Sequence, residues 1–312
     1  MMKSLAALAA AAALLVLSAC GGSASSGEEG EASSSSQDTS QYPAQIGEVT
    51  LEAQPQAVIS LSPAITEWVA DLGYEGQLAG ISDYCDYPES LAQELPRCGT
   101  LWQMNQQEVD SLGADLVLAS APLAQEDQDY LELMEIPVLV FPPAQTMEEL
   151  HDRYTDLARA LGGETDGLAR GEEVAAQLEE GMAQAASRVQ EAVAQREGGS
   201  LTVILLREAD TTMATGDTFE QTILEEMGLT NLAREYTGWQ VPAQEAAALN
   251  PQLIIAHETI TIPDLEQNPT YQNGQATIYD QVVNLDFQAL ERQSLRMVAE
   301  WEKIADFLTA QE

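Results

Sequence analysis

Two stretches of the chain carry the same residues at the same spacing, a tryptophan followed six positions later by a glutamate. They begin at Trp102 and Trp239, and their glutamates are Glu108 and Glu245. Aligned without a gap over 18 positions, the stretches share seven identities. An indole offers a flat apolar face to a ligand, and a carboxylate can bind a guanidinium of a partner. The repeat therefore predicts two related halves, each with an aromatic contact and an acidic contact.

These residues also have purely structural explanations. A tryptophan buries a large area and can anchor a loop. Glu108 follows Asn105 at the spacing of a capping box, and both glutamates lie where a helix dipole favours a negative charge. The ligand and docking roles are therefore hypotheses that compete with core packing and helix capping.

Signatures of catalysis are scarce in this sequence. It contains no nucleophile elbow, phosphate-binding loop or zinc-protease motif, and no glycine-rich dinucleotide turn follows its apolar strands. His151 and His257 are the only histidines, which excludes a three-histidine metal site. We therefore predict a binding protein and not an enzyme, with no resident cofactor.

The elements that must position these residues alternate between short apolar strands and helices in two regions. Such alternation predicts α/β lobes with largely parallel sheets, over residues 46–145 and 200–312. Residues 146–199 are helical throughout, with a break at Gly162-Gly163. The second helical piece, from Thr165 to Arg196, is long and alanine-rich, so we expect a rigid spine between two Rossmann-like lobes with the ligand cleft between them.

The first 45 residues have a different character. Residues 1–19 form a short positive start and an apolar run of signal-peptide length, too short for a permanent membrane span. The run ends before Cys20 in a pattern similar to a bacterial lipobox, which implies a lipid on Cys20 and an extracytoplasmic, membrane-anchored protein. Residues 20–45 are rich in Gly, Ser and Glu and predict a flexible tether.

The net charge excludes two classes of binding partner, and the two remaining cysteines predict a disulfide. The net charge is −39 at pH 7, so the surface would repel nucleic acid and anionic lipid. Cys85 and Cys98 remain after Cys20 is lipidated, and an even pair in an oxidising compartment predicts a disulfide, with two buried free thiols as the alternative.

The most specific patterns resemble those of one known family. They are Ser-Leu-Ser-Pro-Ala at residues 60–64, Ser-Asp-Tyr-Cys-Asp-Tyr-Pro at 82–88, Trp102, and Asp-Leu-Val-Leu-Ala at 115–119. This set resembles the cobalamin-binding proteins of ABC importers, within the helical-backbone class that also carries haem and ferric siderophores. The resemblance covers roughly residues 46–310 and is closer in the first half of the chain.

The resemblance implies a monomeric carrier that holds a corrinoid in a cleft and moves little at its hinge. It implies that Tyr84, Trp102 and Trp239 surround the corrin, and that one glutamate per lobe docks onto arginines of the permease. Counted from each tryptophan, the docking residues are Glu108 and Glu245. Counted back from the following strand, they are Gln107 and Gln244.

The shortage of cations bears on the ligand. Only Arg97 and Arg207 lie near the expected cleft loops, and we predict Arg207 to be a ligand contact. With so few cations, a strongly anionic triscatecholate siderophore is disfavoured and an amide-fringed corrinoid is favoured. Haem is the next candidate, and His257, which follows a strand, is the leading axial ligand for haem or cobalt, although it can equally be an ordinary loop histidine. Cys85 is a weaker candidate for the axial ligand.

The alternative function from a different class is a lipoprotein enzyme or corrinoid-remodelling factor built on the same two lobes.

Overall fold

The structure is a computed structural model that describes residues 41–196 and 198–310. The predicted signal peptide (residues 1–19), Cys20 and most of the predicted tether lie outside the described residues. The predicted tether extends five residues too far, because residues 41–45 belong to the fold. The Gln41 carbonyl accepts a hydrogen bond from the Glu164 amide at 2.9 Å, and the Tyr42 hydroxyl donates to the Ala160 carbonyl at 3.0 Å.

Short strands alternate with helices along most of the described chain. The strands are β1 (Ala44–Ile46), β2 (Val49–Leu51), β3 (Val58–Ser60), β4 (Leu78–Ile81), β5 (Gly99–Thr100), β6 (Gln103–Met104), β7 (Leu116–Ala119), β8 (Val138–Val140), β9 (Thr202–Leu206), β10 (Thr230–Asn231), β11 (Leu253–His257) and β12 (Val282–Leu285). The α-helices are α1 (Pro63–Asp71), α2 (Glu89–Glu94), α3 (Gln106–Ser111), α4 (Gln125–Leu133), α5 (Met147–Gly162), α6 (Leu168–Gln195), α7 (Phe219–Glu226), α8 (Ala243–Leu249), α9 (Ile262–Gln267), α10 (Gln275–Ile278), α11 (Phe287–Glu291) and α12 (Met297–Thr309).

Each half of the chain builds a four-stranded parallel sheet, and the two sheets have the same strand order. The N-lobe (β1–β8 with α1–α4) has the order β4-β3-β7-β8, and the C-lobe (β9–β12 with α7–α12) has the order β10-β9-β11-β12. If the four strands of each sheet are numbered in chain order, both sheets have the order 2-1-3-4. The expectation of two related α/β halves is confirmed.

The repeated stretches occupy equivalent places in the two sheets. α3 and α8 begin at Gln106 and Ala243, and the strands that follow begin at Leu116 and Leu253. Both pairs are separated by the same 137 positions as the two tryptophans. Each stretch therefore supplies the helix that leads into the third strand of its sheet.

The linker between the lobes is a helical hairpin followed by the spine. α5 ends at Gly162, and a π-helical turn (Gly163–Gly167) leads into α6. His151 near the start of α5 contacts Glu179 in α6 at 2.9 Å, so the two helices run antiparallel. α6 has 28 residues, or about 42 Å at 1.5 Å per residue, and it packs against α5 on one side and α12 of the C-lobe on the other.

One hydrophobic core runs through both lobes along α6. It joins Val58 and Leu116 of the N-lobe sheet to Val203 and Ile255 of the C-lobe sheet, with Leu178 of α6 between them, and all five side chains are almost fully buried. Because protein cores are close-packed, a continuous core resists relative motion of the lobes.

Among the described residues, no helix is long and apolar enough to cross a membrane.

Candidate functional site

Three of the predicted ligand contacts lie at the carboxyl edges of the two sheets. Tyr84 follows β4 within three residues, Arg207 follows β9 directly, and His257 is the last residue of β11. Open parallel sheets bind their ligands at this edge, because the loops there vary in sequence while the strands hold them in place. The structure therefore places these residues where a ligand site is expected.

The aromatic side chains of the N-lobe are open to solvent. Tyr84 is 70% exposed and Trp102 is 75% exposed, among the most exposed large apolar side chains of the described chain. Trp102 lines a depression of about 570 Å³ together with Asp83, Arg97 and Glu126. Neither ring is part of a core, so the core-packing alternative is wrong for Trp102.

A buried carboxylate fixes the loop that presents Trp102. The loop is the turn of the short β5–β6 hairpin. Asp127, at 5% exposure, accepts hydrogen bonds from the Met104 amide at 3.0 Å and the Gln106 side-chain amide at 2.8 Å. The Asp83 carboxylate accepts from the Gly99 amide at 3.2 Å. The indole is thus exposed while its backbone is held, so little loop entropy is lost when a ligand covers it.

The second tryptophan is held in a similar way in the C-lobe. The Trp239 amide donates to the Thr215 hydroxyl at 3.1 Å, and the neighbouring Gly238 amide donates to both Asp217 oxygens at 3.0 and 2.9 Å. The Arg207 guanidinium lies over the Trp239 ring, 5.6 Å from its centroid. Trp239 is half-buried and packs against the main core, so the packing explanation applies to it.

A cluster of charged groups surrounds this tryptophan. Arg207 forms an ion pair with Glu291 at 2.9 Å. Burial raises the pKa of Glu291, although the nearby charges of Arg207, His257 and Arg292 lower it. The structure therefore brings Arg207, Trp239 and His257 into one neighbourhood.

The loop that carries Tyr84 reaches across to the C-lobe. Asp86 forms an ion pair with Arg292, which keeps the pKa of Asp86 below its ordinary value despite partial burial. The Arg296 guanidinium lies over the Tyr87 ring, 4.6 Å from its centroid. The two lobes therefore meet beside the charged cluster, at the base of the cleft.

A buried ion network missed by the sequence reasoning joins the lobes at this base. Glu67 of α1, at 1% side-chain exposure, binds Arg292 at 2.7 Å, Arg296 at 2.9 Å and the Ser294 hydroxyl at 2.6 Å. The Trp68 indole N–H donates to the Arg292 carbonyl at 2.8 Å. The signal in the sequence was a lone glutamate inside the apolar helix α1, which is uncommon unless the charge is paired.

The proposed docking residues lie at matching places. Glu108 and Glu245 are each the third residue of their helices, α3 and α8, and Gln107 and Gln244 are the second. Asn105 caps α3 and accepts from the Glu108 amide at 3.2 Å, but the Asn105 amide donates to the Cys98 carbonyl, so the capping box with the Glu108 carboxylate is not formed. Glu245 is exposed and accepts a hydrogen bond from the Tyr236 hydroxyl at 2.5 Å.

The predicted disulfide is not present in this structure, in which Cys85 and Cys98 are free buried thiols. They lie in hydrophobic clusters on opposite faces of the N-lobe sheet. Cys85 packs with the face that includes Val58, and its sulfur contacts the Thr66 hydroxyl at 3.2 Å, while Cys98 packs with the face that includes Ile59. Burial raises the pKa of both thiols, so Cys85 is not predisposed to be a thiolate ligand.

The described residues contain no group of three or more His, Cys, Asp or Glu side chains arranged to hold a metal ion. The arrangement instead offers exposed aromatic faces and paired charges around a cleft between two parallel-sheet lobes. Such a cleft is suited to holding a bulky ligand.

Comparison with known proteins identifies the family. The sequence profile of the family described as "Periplasmic binding protein" matches residues 58–289. The chain belongs to this family.

Relatives with a curated name include two informative ones. The chain is 25% identical over 282 residues to an uncharacterized ABC transporter substrate-binding lipoprotein, YvrC of Bacillus subtilis, covering 86% of this chain and 87% of the relative. It is 36% identical over 100 residues to the vitamin B12-binding protein of Yersinia pestis. This second match spans only about a third of each protein, 31% of this chain and 35% of the relative.

Solved structures of the same fold include carriers of different ligands. A haem-binding protein from Pseudomonas aeruginosa has a TM-score of 0.69 at 22% identity, covering 82% of this chain and 94% of that one. The vitamin B12-binding protein BtuF of Vibrio cholerae has a TM-score of 0.63 at 20% identity, covering 82% and 97%. At these identities the comparison establishes the fold of this periplasmic binding protein.

Proposed function

We propose that this periplasmic binding protein is a lipid-anchored, extracytoplasmic carrier that captures a corrinoid and delivers it to an ABC importer permease. The anchor is a lipid on Cys20, and the corrinoid is cargo and not a resident cofactor. The observation that carries the proposal is the pair of tryptophans, Trp102 and Trp239, one in each lobe, whose loops are held by backbone hydrogen bonds to side chains. The names of the B12-binding and lipoprotein relatives support the same reading.

The charges of the cleft favour a ligand without strong negative charge. Three arginines at the cleft are already paired: Arg207 with Glu291, Arg292 with Glu67 and Asp86, and Arg296 with Glu67 and Asp286. An anionic siderophore, or the propionates of haem, would have to compete with these carboxylates at a cost in desolvation.

The fourth cleft arginine is also occupied. Arg97 donates to three main-chain carbonyl groups, those of Ser82, Cys85 and Ala92. These three hydrogen bonds hold the Tyr84 loop in place and use most of the N–H groups of the Arg97 guanidinium. A corrinoid, with apolar faces and an amide fringe, can be held by aromatic stacking and neutral hydrogen bonds.

Substitution of the aromatic residues tests the proposal. Trp102→Ala and Trp239→Ala should each weaken cyanocobalamin binding at least about tenfold, because each removes a large face from the interface. Isothermal titration calorimetry measures the effect. Tyr279→Ala is the matched control, since Tyr279 is 67% exposed but precedes β12 at the opposite edge of the C-lobe sheet. Equal affinity in the wild type and both tryptophan variants would contradict the aromatic site.

We assign docking to Glu108 and Glu245, with Gln107 and Gln244 as the alternative pair. Charge reversal, Glu108→Arg with Glu245→Arg, should abolish transport in vesicles that contain the permease while leaving ligand affinity within about twofold. Glu173→Arg, at a 69% exposed side chain on α6, is the control. Full transport by the double variant would refute this assignment, and the same loss in Gln107→Arg with Gln244→Arg would favour the alternative.

A haem carrier is the second candidate, and the presence of His257 at the carboxyl end of β11 is the observation that favours it. A histidine there is placed to reach a ligand in the cleft. Whether it can coordinate a metal depends on which ring nitrogen carries the proton.

A further inference from the structure

His257 lies at the centre of the carboxyl edge of the C-lobe sheet. It pairs in register with Leu285 of β12, and the preceding Ala256 pairs with Leu206, so His257 is adjacent to Arg207. Its ring packs against Phe287, with centroids 5.2 Å apart. The side chain is 25% exposed. The ring is therefore held in one orientation with one part open to the cleft.

The Nδ1 atom of His257 is occupied by a hydrogen-bond donor. The backbone amide of Thr259 donates to Nδ1 at 3.1 Å, and the Thr259 hydroxyl lies 2.9 Å from the same atom. A backbone N–H can only donate, so Nδ1 must accept with its lone pair. A proton on Nδ1 would point at the amide hydrogen, although a carboxylate oxygen of Glu258 lies 3.3 Å away. That Glu258 oxygen already accepts from the Phe287 amide at 3.2 Å, whereas the hydrogen of the Thr259 amide is directed at Nδ1, so the Thr259 amide decides the tautomer.

In the neutral ring the proton is then on Nε2. This nitrogen makes no hydrogen bond to a described residue, and it is not among the buried polar atoms that lack a partner, which are Gln77 Oε1, Thr277 Oγ1 and Trp301 Nε1. Solvent therefore reaches Nε2. A ring nitrogen that carries a proton has no lone pair to give to a metal, but it is a good hydrogen-bond donor.

We infer that His257 determines specificity as an Nε2–H donor to a carbonyl oxygen on the fringe of the cargo, and that it is not an axial metal ligand. The carrier thereby selects a ligand edged with carboxamides over one that needs histidine coordination. This inference rests on the proposed function for the identity of the cargo, but the tautomer itself does not depend on it. It also replaces the sequence-based expectation that His257 is an axial ligand.

The tautomer can be read directly in the full mature protein. Long-range 1H–15N NMR spectra distinguish the two neutral tautomers, and the chain has only two histidines. His151→Gln removes the other ring and assigns the signals. We expect the Nε2–H pattern for His257 without any ligand. An Nδ1–H pattern would overturn the inference, whatever the cargo proves to be.

Two substitutions test the role in binding. His257→Gln keeps a side-chain N–H donor, so cyanocobalamin or cobinamide affinity should stay within about threefold of the wild type. His257→Leu removes the donor and should weaken binding about tenfold, in line with one lost hydrogen bond. Equal affinity of the two variants would overturn the donor role. Failure of both corrinoids to bind the wild type would refute the proposed function and leave the tautomer result standing.

Haemin provides the opposite test. We expect the absorption spectrum of any bound haemin to be the same in wild type and His257→Leu, because the ring supplies no iron ligand. A histidine-ligated spectrum in the wild type that His257→Leu lacks would overturn the inference.

Discussion

A single buried carboxylate, Glu67, holds the two lobes together at the base of the cleft. It accepts from two arginines and a serine of the C-lobe while lying on the first helix of the N-lobe. A nearby contact reinforces it: Asp71 accepts from the Leu295 amide at 2.9 Å and from the Tyr154 hydroxyl at 2.7 Å. Burial raises the pKa of Asp71 from 3.8 to about 6.

Removal of this carboxylate should destabilise the protein strongly. Glu67→Ala leaves the partly buried Arg292 and Arg296 without their shared partner, so we expect a loss of about 3 to 5 kcal/mol in the free energy of unfolding. Urea denaturation followed by circular dichroism measures it. Glu173→Ala, which breaks the exposed pair with Arg170, should cost less than about 1 kcal/mol. A similar small cost for both variants would contradict the role of the network.

Glu220 gives a prediction about pH. Burial raises its pKa from 4.5 to about 7, and the charge of Glu291 adds to the rise. The native state then binds a proton that the unfolded state releases, so this group's contribution to stability falls as pH rises from about 4.5 to 7. Glu220→Gln should therefore stabilise the protein at pH 8 by up to roughly 3 kcal/mol, and the difference should vanish below pH 4.5. A variant no more stable than the wild type at pH 8 would refute this.

The aromatic and charged residues show how far sequence reasoning reaches at this scale. Trp102 and Trp239 could be found because the repeat marks them. The network of Glu67 could not, since Glu67 is 225 and 229 positions away from its partners Arg292 and Arg296 and no local pattern pairs them. The Cys85–Cys98 disulfide was wrong for a related reason: the count of cysteines does not show which face of the sheet each thiol occupies.

At the scale of elements, the helical hairpin of α5 and α6 depends on glycine where the helices touch. A Cβ on Gly171 of α6 would lie 2.7 Å from the Thr155 Cα of α5. The break at Gly162-Gly163 was predicted from the sequence, and α5 ends there. The antiparallel packing that follows was not, because a glycine pair shows that a helix stops and not where the next one turns.

Substitution of Gly171 tests this packing. Alanine favours helix by about 1 kcal/mol over glycine in isolation, but at this contact the backbones must move apart. We expect Gly171→Ala to destabilise the fold by about 1 to 3 kcal/mol in urea denaturation. Gly76→Ala is the control, because nothing lies within 4 Å of its added Cβ and its φ is not positive. A Gly171→Ala variant as stable as the control variant would show that the helices do not meet at this point.

At the scale of the whole molecule, the continuous core and the Glu67 network both connect the lobes. The two α/β lobes with parallel sheets and the spine helix were predictable, since periodicity and the repeat are local signals, whereas the order of the strands in each sheet was not predicted. The identity of the cargo is a property of the cleft, where exposed aromatic rings and three arginines that already have carboxylate partners favour a bulky neutral ligand over an anionic one. That is the central claim about this periplasmic binding protein.

Parallel titrations of the purified wild-type protein with cyanocobalamin, cobinamide and haemin test this claim most directly. Calorimetry gives the affinity and stoichiometry of each under the same buffer and salt. We predict one corrinoid bound per chain, with haemin at least about tenfold weaker because its propionates meet arginines that are already paired. Tight binding of haemin with no binding of either corrinoid would contradict the account.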